Sequence, residues 1–305
     1  MKVADAHSDM LSLHIKEGVP IENCKTRPEN LAAGGVALQT FALFTCRAQP
    51  HDRPYQDGKA MLEYFRRLPI PILDGKLPEE LPDEPTGVLS CEGGEMLEGS
   101  IDRLAEFDDD IRLRMIALTW KFENEIGFPC NGGIDKGLKP FGRTLIGEMD
   151  RRGILTDVSH LNDAGFWEVC ERSVLPPIAS HSNCRWLCSV PRNLTKEMVR
   201  ALVERKGFIG INFYACFLQK EGNACLDHVV RHIEEMLELG AEDILGFGSD
   251  FDGIDRWPEG MADPSDYPGL LGVLRDRGYD QALLEKISGG NLWRVLKQAD
   301  DARRV

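Results

Sequence analysis

Three short apolar runs of this chain finish in a histidine: Lys2 to His7, Ile154 to His160 and Pro177 to His181. The first continues through Ser8 to Asp9, which leaves a histidine and an aspartate two apart where an opening strand would end, a ready metal-ligand arrangement. Two further runs close on acids, one at Glu92 and one at Ser249-Asp250. A single strand-end histidine is usually a hydrogen-bonded structural residue. Six imidazoles and acids at strand ends ask for another explanation. Three imidazoles with two or three carboxylates exceed what one tetrahedral zinc needs, and they suit two divalent ions sharing a bridging carboxylate, for which Glu92 is the natural choice. A hydroxide held between two cations is a strong nucleophile near neutral pH, because each cation lowers the pKa of the parent water. The chemistry expected is hydrolysis, with Asp250 taking the proton of the water and returning it to the leaving group.

Such residues, spread over some 240 positions, must be gathered by the fold. Apolar runs alternate with amphipathic stretches, the pattern of parallel strands joined by crossover helices. Eight strands are expected: Lys2 to His7, Val36 to Phe44, Gly87 to Glu92, Met115 to Trp120, Ile154 to Ser159, Pro177 to His181, Phe208 to Phe213 and Ile244 to Ser249. Two helices read clearly, one from Met198, Val199, Leu202 and Val203 with a stop at Gly207, the other from Leu226 to Leu237 with a stop at Gly240. Eight such units fit an α/β protein of the closed (β/α)8 TIM-barrel type, in which strand carboxyl ends converge on one rim. The glycine-rich fingerprint of an open nucleotide-binding sheet is missing. Residues 1–305 are expected to form one barrel domain, with a loop and helix excursion at about 47–86, where seven prolines interrupt the pattern. Two long connections, Lys121 to Gly142 and Asp252 to Gly269, would emerge at the rim as substrate walls.

With 36 basic and 50 acidic residues and a formal charge of -14, nucleic acid and anionic membrane are poor partners. No apolar run approaches a membrane span, and residues 1–20 lack the pattern of a secretory signal, so a cytoplasmic enzyme without a membrane anchor is expected. The nine cysteines show no paired spacing and read as thiols packed like small apolar residues.

The chain resembles the membrane (renal) dipeptidase family of binuclear zinc peptidases. The resemblance rests on Asp5-Ala6-His7-Ser8-Asp9, Cys91-Glu92-Gly93-Gly94, Pro140-Phe141-Gly142, Asp157-Val158-Ser159-His160, Ser180-His181-Ser182, Pro191-Arg192-Asn193 and Gly248-Ser249-Asp250-Phe251-Asp252-Gly253, in this order from the first strand to the eighth. It implies a (β/α)8 barrel of the metallo-dependent hydrolase type and a dipeptidase tolerating a D residue at the C-terminal position. It also implies two Zn2+ ions, one held by His7, Asp9 and Glu92, the other by Glu92, His160 and His181. Asp250 falls on the family's proton shuttle and Arg192 on its carboxylate-binding arginine, whose planar fork suits the free C-terminus of a dipeptide. Family members often pair as homodimers. One position departs: where vertebrate members end the fourth strand Leu-Thr-His, with that histidine on the scissile carbonyl, this chain has Leu118-Thr119-Trp120. An indole N–H donates one hydrogen bond but carries no positive charge, so Asn124 or Asn131 in the following loop are the candidate substitutes.

Two other readings stand beside this one: another amidohydrolase on the same barrel, acting on a β-lactam or an N-acyl amino acid, and a non-catalytic metal-binding scaffold. His228 and His232, four apart on one helix, lack the glutamate of the zinc-binding His-Glu-x-x-His pattern and are expected on a solvated face. The run Glu106 to Asp110 is likewise expected at a solvated surface. Asp5 is expected to orient a metal ligand or to close the first strand, and Asp252 to contact substrate or to cap its loop.

Overall fold

The structure, a computed structural model, describes residues 1–46 and 52–305. Eight parallel strands close on themselves in sequence order: β1 (Val3–Asp5), β2 (Val36–Phe44), β3 (Thr86–Glu92), β4 (Leu113–Ala117), β5 (Leu155–Asp157), β6 (Ile178–Ala179), β7 (Phe208–Ile211) and β8 (Leu245–Phe247). The barrel closes where Asp5 of β1 lies opposite Phe247 of β8. All eight expected strands are present, several shorter than their apolar runs. Helices cover the outer surface, so strands such as β3, in which all seven residues are buried, show no alternation of buried and exposed positions.

Both helices expected from their apolar stripes form, at Lys196–Glu204 and Leu226–Leu237. Thr195 caps the first, accepting from the Met198 N–H. Within the proline-rich stretch a helix runs from Pro54 to Phe65; residues 47–51 lie outside the described residues. The last helix, Asn291–Ala302, packs Leu292, Val295 and Leu296 against an apolar cluster with Ala4, Leu155 and Phe208. Among the described residues no helix is long and apolar enough to cross a membrane, and no disulfide joins any of the cysteines.

Two surface expectations are corrected. Asp108, within the acidic run, is only 1% exposed: Arg152 and Arg303 pair with its Oδ2 at 2.9 and 2.8 Å, and the Leu113 N–H donates to Oδ1. A carboxylate so paired tolerates burial that a bare one would not. His232 is equally buried, with Nδ1 accepting from the Cys184 N–H at 3.0 Å and Nε2 2.9 Å from the Leu218 carbonyl. Both ring nitrogens are used within the core, and burial lowers the imidazole pKa to about 4. His228 is half-buried and accepts the Cys225 N–H at its helix start.

Candidate active site

The carboxyl ends of the strands bring together the side chains marked from sequence. Glu92 is the last residue of β3, buried, and its carboxylate lies between the histidines. Its Oε2 is 3.6 Å from His7 Nε2; its Oε1 is 2.8 Å from His160 Nε2 and 3.3 Å from His181 Nε2. His7 Nε2 also faces Asp9 Oδ2 at 3.6 Å and Asp250 Oδ1 at 3.7 Å. The His7 and His181 rings stack with centroids 3.9 Å apart, and the Nε2 atoms of His160 and His181 are 3.0 Å apart. Two sets of ligand atoms are close enough to share an ion, His7 with Glu92 and His181, and His7 with Asp9 and Asp250.

Local backbone explains why these residues meet. Past β1 the chain keeps pairing with the segment past β8, through Ser8 beside Phe251 and the Asp9 N–H on the Phe251 carbonyl, which sets Asp9 next to Asp250. His160, Asp250 and Asp252 have φ of 68°, 65° and 67°, left-handed conformations that cost a non-glycine residue energy and persist where the surroundings impose them. Both glycines of Gly248 to Gly253 are required by space. A Cβ on Gly248 would lie 1.8 Å from the Ser180 carbonyl oxygen, and one on Gly253 would lie 2.1 Å from Asp9 Oδ2.

Two strand-end aspartates hold these residues from behind. Asp5 Oδ1 accepts the N–H groups of His7 and Ser249, while its Oδ2 accepts the hydroxyls of Ser249 at 2.5 Å and Tyr267 at 2.9 Å. Of the two roles expected of Asp5 the structure shows the strand-closing one: it joins the end of β1 to the segment past β8 and fixes the backbone of His7. Asp157, ending β5, does the same across to β6: Oδ1 accepts the Ser159 and Ser180 N–H groups and Oδ2 the Ser180 hydroxyl. Because that hydroxyl donates to Asp157, its oxygen accepts from His181 Nδ1 at 2.7 Å, which leaves Nε2 of His181 with its lone pair toward Glu92.

The charges of the cluster oppose one another. Burial, aided by the charge of Glu92, raises Asp9 to about 6, and burial with the charges of Asp9 and Glu92 raises Asp250 to about 7. Burial lowers His160 to about 4, with the nearby Arg192 adding to it, and lowers His181 well below the usual range. For His7 burial works against the charged ring, but Glu92 and Asp9 outweigh it and hold its pKa well above the ordinary value. Burial likewise opposes the charged form of Glu92, yet the surrounding imidazoles keep it ionised well below the carboxylate range. His7 Nε2 and Asp9 Oδ1 are buried without a hydrogen-bond partner. Divalent cations fit this donor set: imidazoles kept neutral at His160 and His181, a central carboxylate with both oxygens turned to imidazole nitrogens, and the buried His7 Nε2 and Asp9 Oδ1 left without partners.

Above the cluster opens a cleft of about 450 Å³ whose lining includes Leu13, Phe44, Trp120, Tyr214, Phe217 and Ile254. Trp120 meets Phe44 edge-on at 4.7 Å, and Lys121 Nζ lies 4.4 Å from the indole centroid. Of the two long connections, Lys121 and the segment Asp252 to Asp255 line this cleft. Asp252 ties its loop to another one, with both oxygens taken by the Lys25 and Thr26 N–H groups and the Thr26 hydroxyl, rather than capping its own loop as expected. Arg192 is buried: one guanidinium nitrogen donates to Ser182 Oγ at 2.8 Å, another to the His181 carbonyl at 2.7 Å, and Nε has no partner. Asn124 does not reach the site, a correction to its expected role beside Trp120. Its Oδ1 accepts the Ile126 and Gly127 N–H groups and its Nδ2 donates to the Leu118 carbonyl, so the amide holds the loop together instead.

A family model for membrane dipeptidases, peptidase family M19, matches residues 1–305. The chain belongs to the membrane dipeptidase family. It is 33% identical over 220 residues to an uncharacterised dipeptidase of Schizosaccharomyces pombe, a match over 71% of this chain and 54% of that protein. To a protein from the pqqA 5' region of Klebsiella pneumoniae it is 36% identical over 195 residues, 61% of this chain and 72% of that one. The match thus spans about half the length of the yeast relative. Among solved structures, a metallopeptidase from Rhodobacter sphaeroides, liganded with a phosphinate mimic of the dipeptide L-Ala-D-Ala, has the same fold. Its TM-score is 0.89, with 24% identity and coverage of 98% of this chain and 99% of that one. A probable dipeptidase from Pseudomonas aeruginosa superposes with a TM-score of 0.86 at 18% identity, covering 99% of this chain and 95% of that one.

Within this member of the dipeptidase family, four residues at or beside the site carry no role legible in the sequence taken alone. Asn212, just past β7, donates to Asp250 Oδ2 at 2.9 Å. Asp157 and Ser180 fix the His181 ring. Glu95, three residues past Glu92, is 2% exposed with neither oxygen hydrogen-bonded, and burial pushes its carboxyl up to about 8. The repeated motif of an aspartate ending one strand and a serine just past a neighbouring one, Asp5 with Ser249 and Asp157 with Ser180, is the signal that could have revealed the clamps.

Proposed function

We propose that this chain, as a single barrel domain, is a dipeptidase that works with two zinc ions, His7, Asp9 and Glu92 holding one and Glu92, His160 and His181 the other. When bound, the pair supplies a hydroxide nucleophile at neutral pH and a Lewis acid for the carbonyl oxygen. The observation that carries this reading is the Glu92 carboxylate, with one oxygen toward His7 and the other toward His160 and His181.

The protein's own groups do the rest. Arg192, a buried cation with Nε uncommitted, receives the terminal carboxylate of the dipeptide. Glu17, Asp252 and Asp255 along the cleft supply the negative field that draws a free ammonium group. Asp250 takes the proton of the attacking water on Oδ1 and passes it to the leaving amine. Its Oδ1 faces the cluster, 3.7 Å from His7 Nε2, as a base for that water must. Leu13, Phe44 and Trp120 wall the cleft and exclude water from the bond being broken. The phosphinate mimic held by the Rhodobacter sphaeroides protein gives a substrate shape that we extend to this chain, a dipeptide with a D residue at the C-terminal position. The test is hydrolysis of L-Ala-L-Ala, L-Ala-D-Ala and Gly-D-Ala by zinc-loaded protein. Cleavage that a chelator abolishes and zinc restores is expected, and no cleavage of any of the three contradicts the reading.

A further inference from the structure

We propose that Asn212 is the positioning residue for Asp250, dictating which carboxylate oxygen faces the site. The inference rests on the reading of Asp250 as the group that moves the proton.

Asn212 is fully buried just past β7. Its Oδ1 accepts the Tyr214 N–H at 2.6 Å, which identifies that atom as the oxygen and makes the other the NH2 donor. The donor points at Asp250 Oδ2, 2.9 Å away. Asn183 clamps the Asn212 backbone from both sides, its Oδ1 accepting the Asn212 N–H at 3.1 Å and its Nδ2 donating to the Asn212 carbonyl at 2.9 Å. Asn183 is itself fully buried and follows His181 by two residues. A frame of two buried amides therefore runs from the end of β6, across β7, to Asp250 past β8.

That frame decides the geometry of the carboxylate. With Oδ2 held by Asn212, Oδ1 is the oxygen left facing the cluster, 3.7 Å from His7 Nε2. A general acid–base must stand within hydrogen-bond reach of the proton it moves, so a carboxylate free to rotate loses part of its effect. The Asn212 amide has two separable duties, closing the turn at Tyr214 through Oδ1 and orienting Asp250 through Nδ2. Serine at position 212 keeps an acceptor for the turn but cannot reach Asp250.

The test is a double-mutant cycle of Asn212→Ser and Asp250→Asn in zinc-loaded protein with L-Ala-L-Ala as substrate. Asn212→Ser is expected to lower kcat about tenfold to a hundredfold, part of the ~10²–10⁴ that general acid–base catalysis supplies, with KM and zinc content close to wild type. In the Asp250→Asn background the same change is expected to do little, because the group it acts through is gone. An unchanged kcat, or an equal loss in both backgrounds, overturns the proposal while leaving the dipeptidase reading in place. Wild-type protein that cleaves no dipeptide removes that reading instead. A crystal structure of Asn212→Ser then tests the frame without turnover: the Asp250 carboxylate is expected to leave its present orientation, and an unmoved carboxylate overturns the inference.

Discussion

Two buried clusters of charge sit at opposite ends of the barrel and are built in opposite ways. At the amino end of β4, Asp300 accepts Arg112 at 2.6 Å, Arg114 at 2.8 Å and the Leu77 N–H at 2.9 Å, while Asp108 is shared between Arg152 and Arg303. Cations and anions alternate there, and the carboxylates find their partners within the chain. At the carboxyl ends, Asp9, Glu92 and Asp250 crowd around three imidazoles, with His7 Nε2 and Asp9 Oδ1 unpartnered and two acids pushed toward neutrality. Burying charge is tolerable when pairs close on themselves and costly when they do not. The first cluster therefore ties the last helix to the barrel, and the second leaves buried polar atoms without partners within the chain, as the proposed cation site requires.

Substitutions separate these roles. Glu92→Gln, which removes the carboxylate proposed to be shared, is expected to lower dipeptide hydrolysis by about 10³-fold or more, since a cation pair, as proposed, would contribute several kcal/mol to the transition state. Its unfolding temperature without metal is expected to move less than that of Asp300→Ala, as calorimetry can check. Asp300→Ala leaves Arg114 buried without its carboxylate and is expected to cost about 3–5 kcal/mol in denaturant unfolding, with zinc content per folded chain unchanged. Loss of zinc in Asp300→Ala, or of fold in Glu92→Gln, breaks the comparison.

Glu95 sharpens it through pH. The folded protein holds the Glu95 proton up to about 8, whereas the unfolded chain releases it near the ordinary value of 4.5. Between these values the native state binds more protons, so this group's contribution to stability falls as pH rises. Glu95→Gln removes that loss, and its stability relative to wild type is expected to grow by up to about 1.4 kcal/mol per pH unit from about 4.5 to about 8. A pH-independent difference, measured by urea unfolding, contradicts it. Trp120→His is the smallest change expected: turnover or substrate range shifts across a dipeptide panel, and indistinguishable kinetics leave Trp120 as a passive wall.

The barrel was legible because the strands, covered on both faces, read as mostly apolar runs without alternation, and because polar residues at the ends of such runs can only gather on one rim. His7, Asp9, Glu92, His160, His181 and Asp250 were visible for that reason. The supports were not. Asn212 meets Asp250 across 38 residues with no local pattern, and of the strand-end clamps only Asp5 was expected from sequence. Asn124 misled because a loop amide two or three residues from free N–H groups satisfies its own turn first. His232 and Asp108 misled because a helix position looks solvated until the partner that buries it, Cys184 or Arg152, is known.

The most direct measurement is anomalous diffraction at the zinc edge from crystals of the zinc-loaded protein. Two peaks are expected, one among His7, Asp9 and Glu92 and one among Glu92, His160 and His181. A single peak, or none touching Glu92, contradicts the shared-carboxylate site.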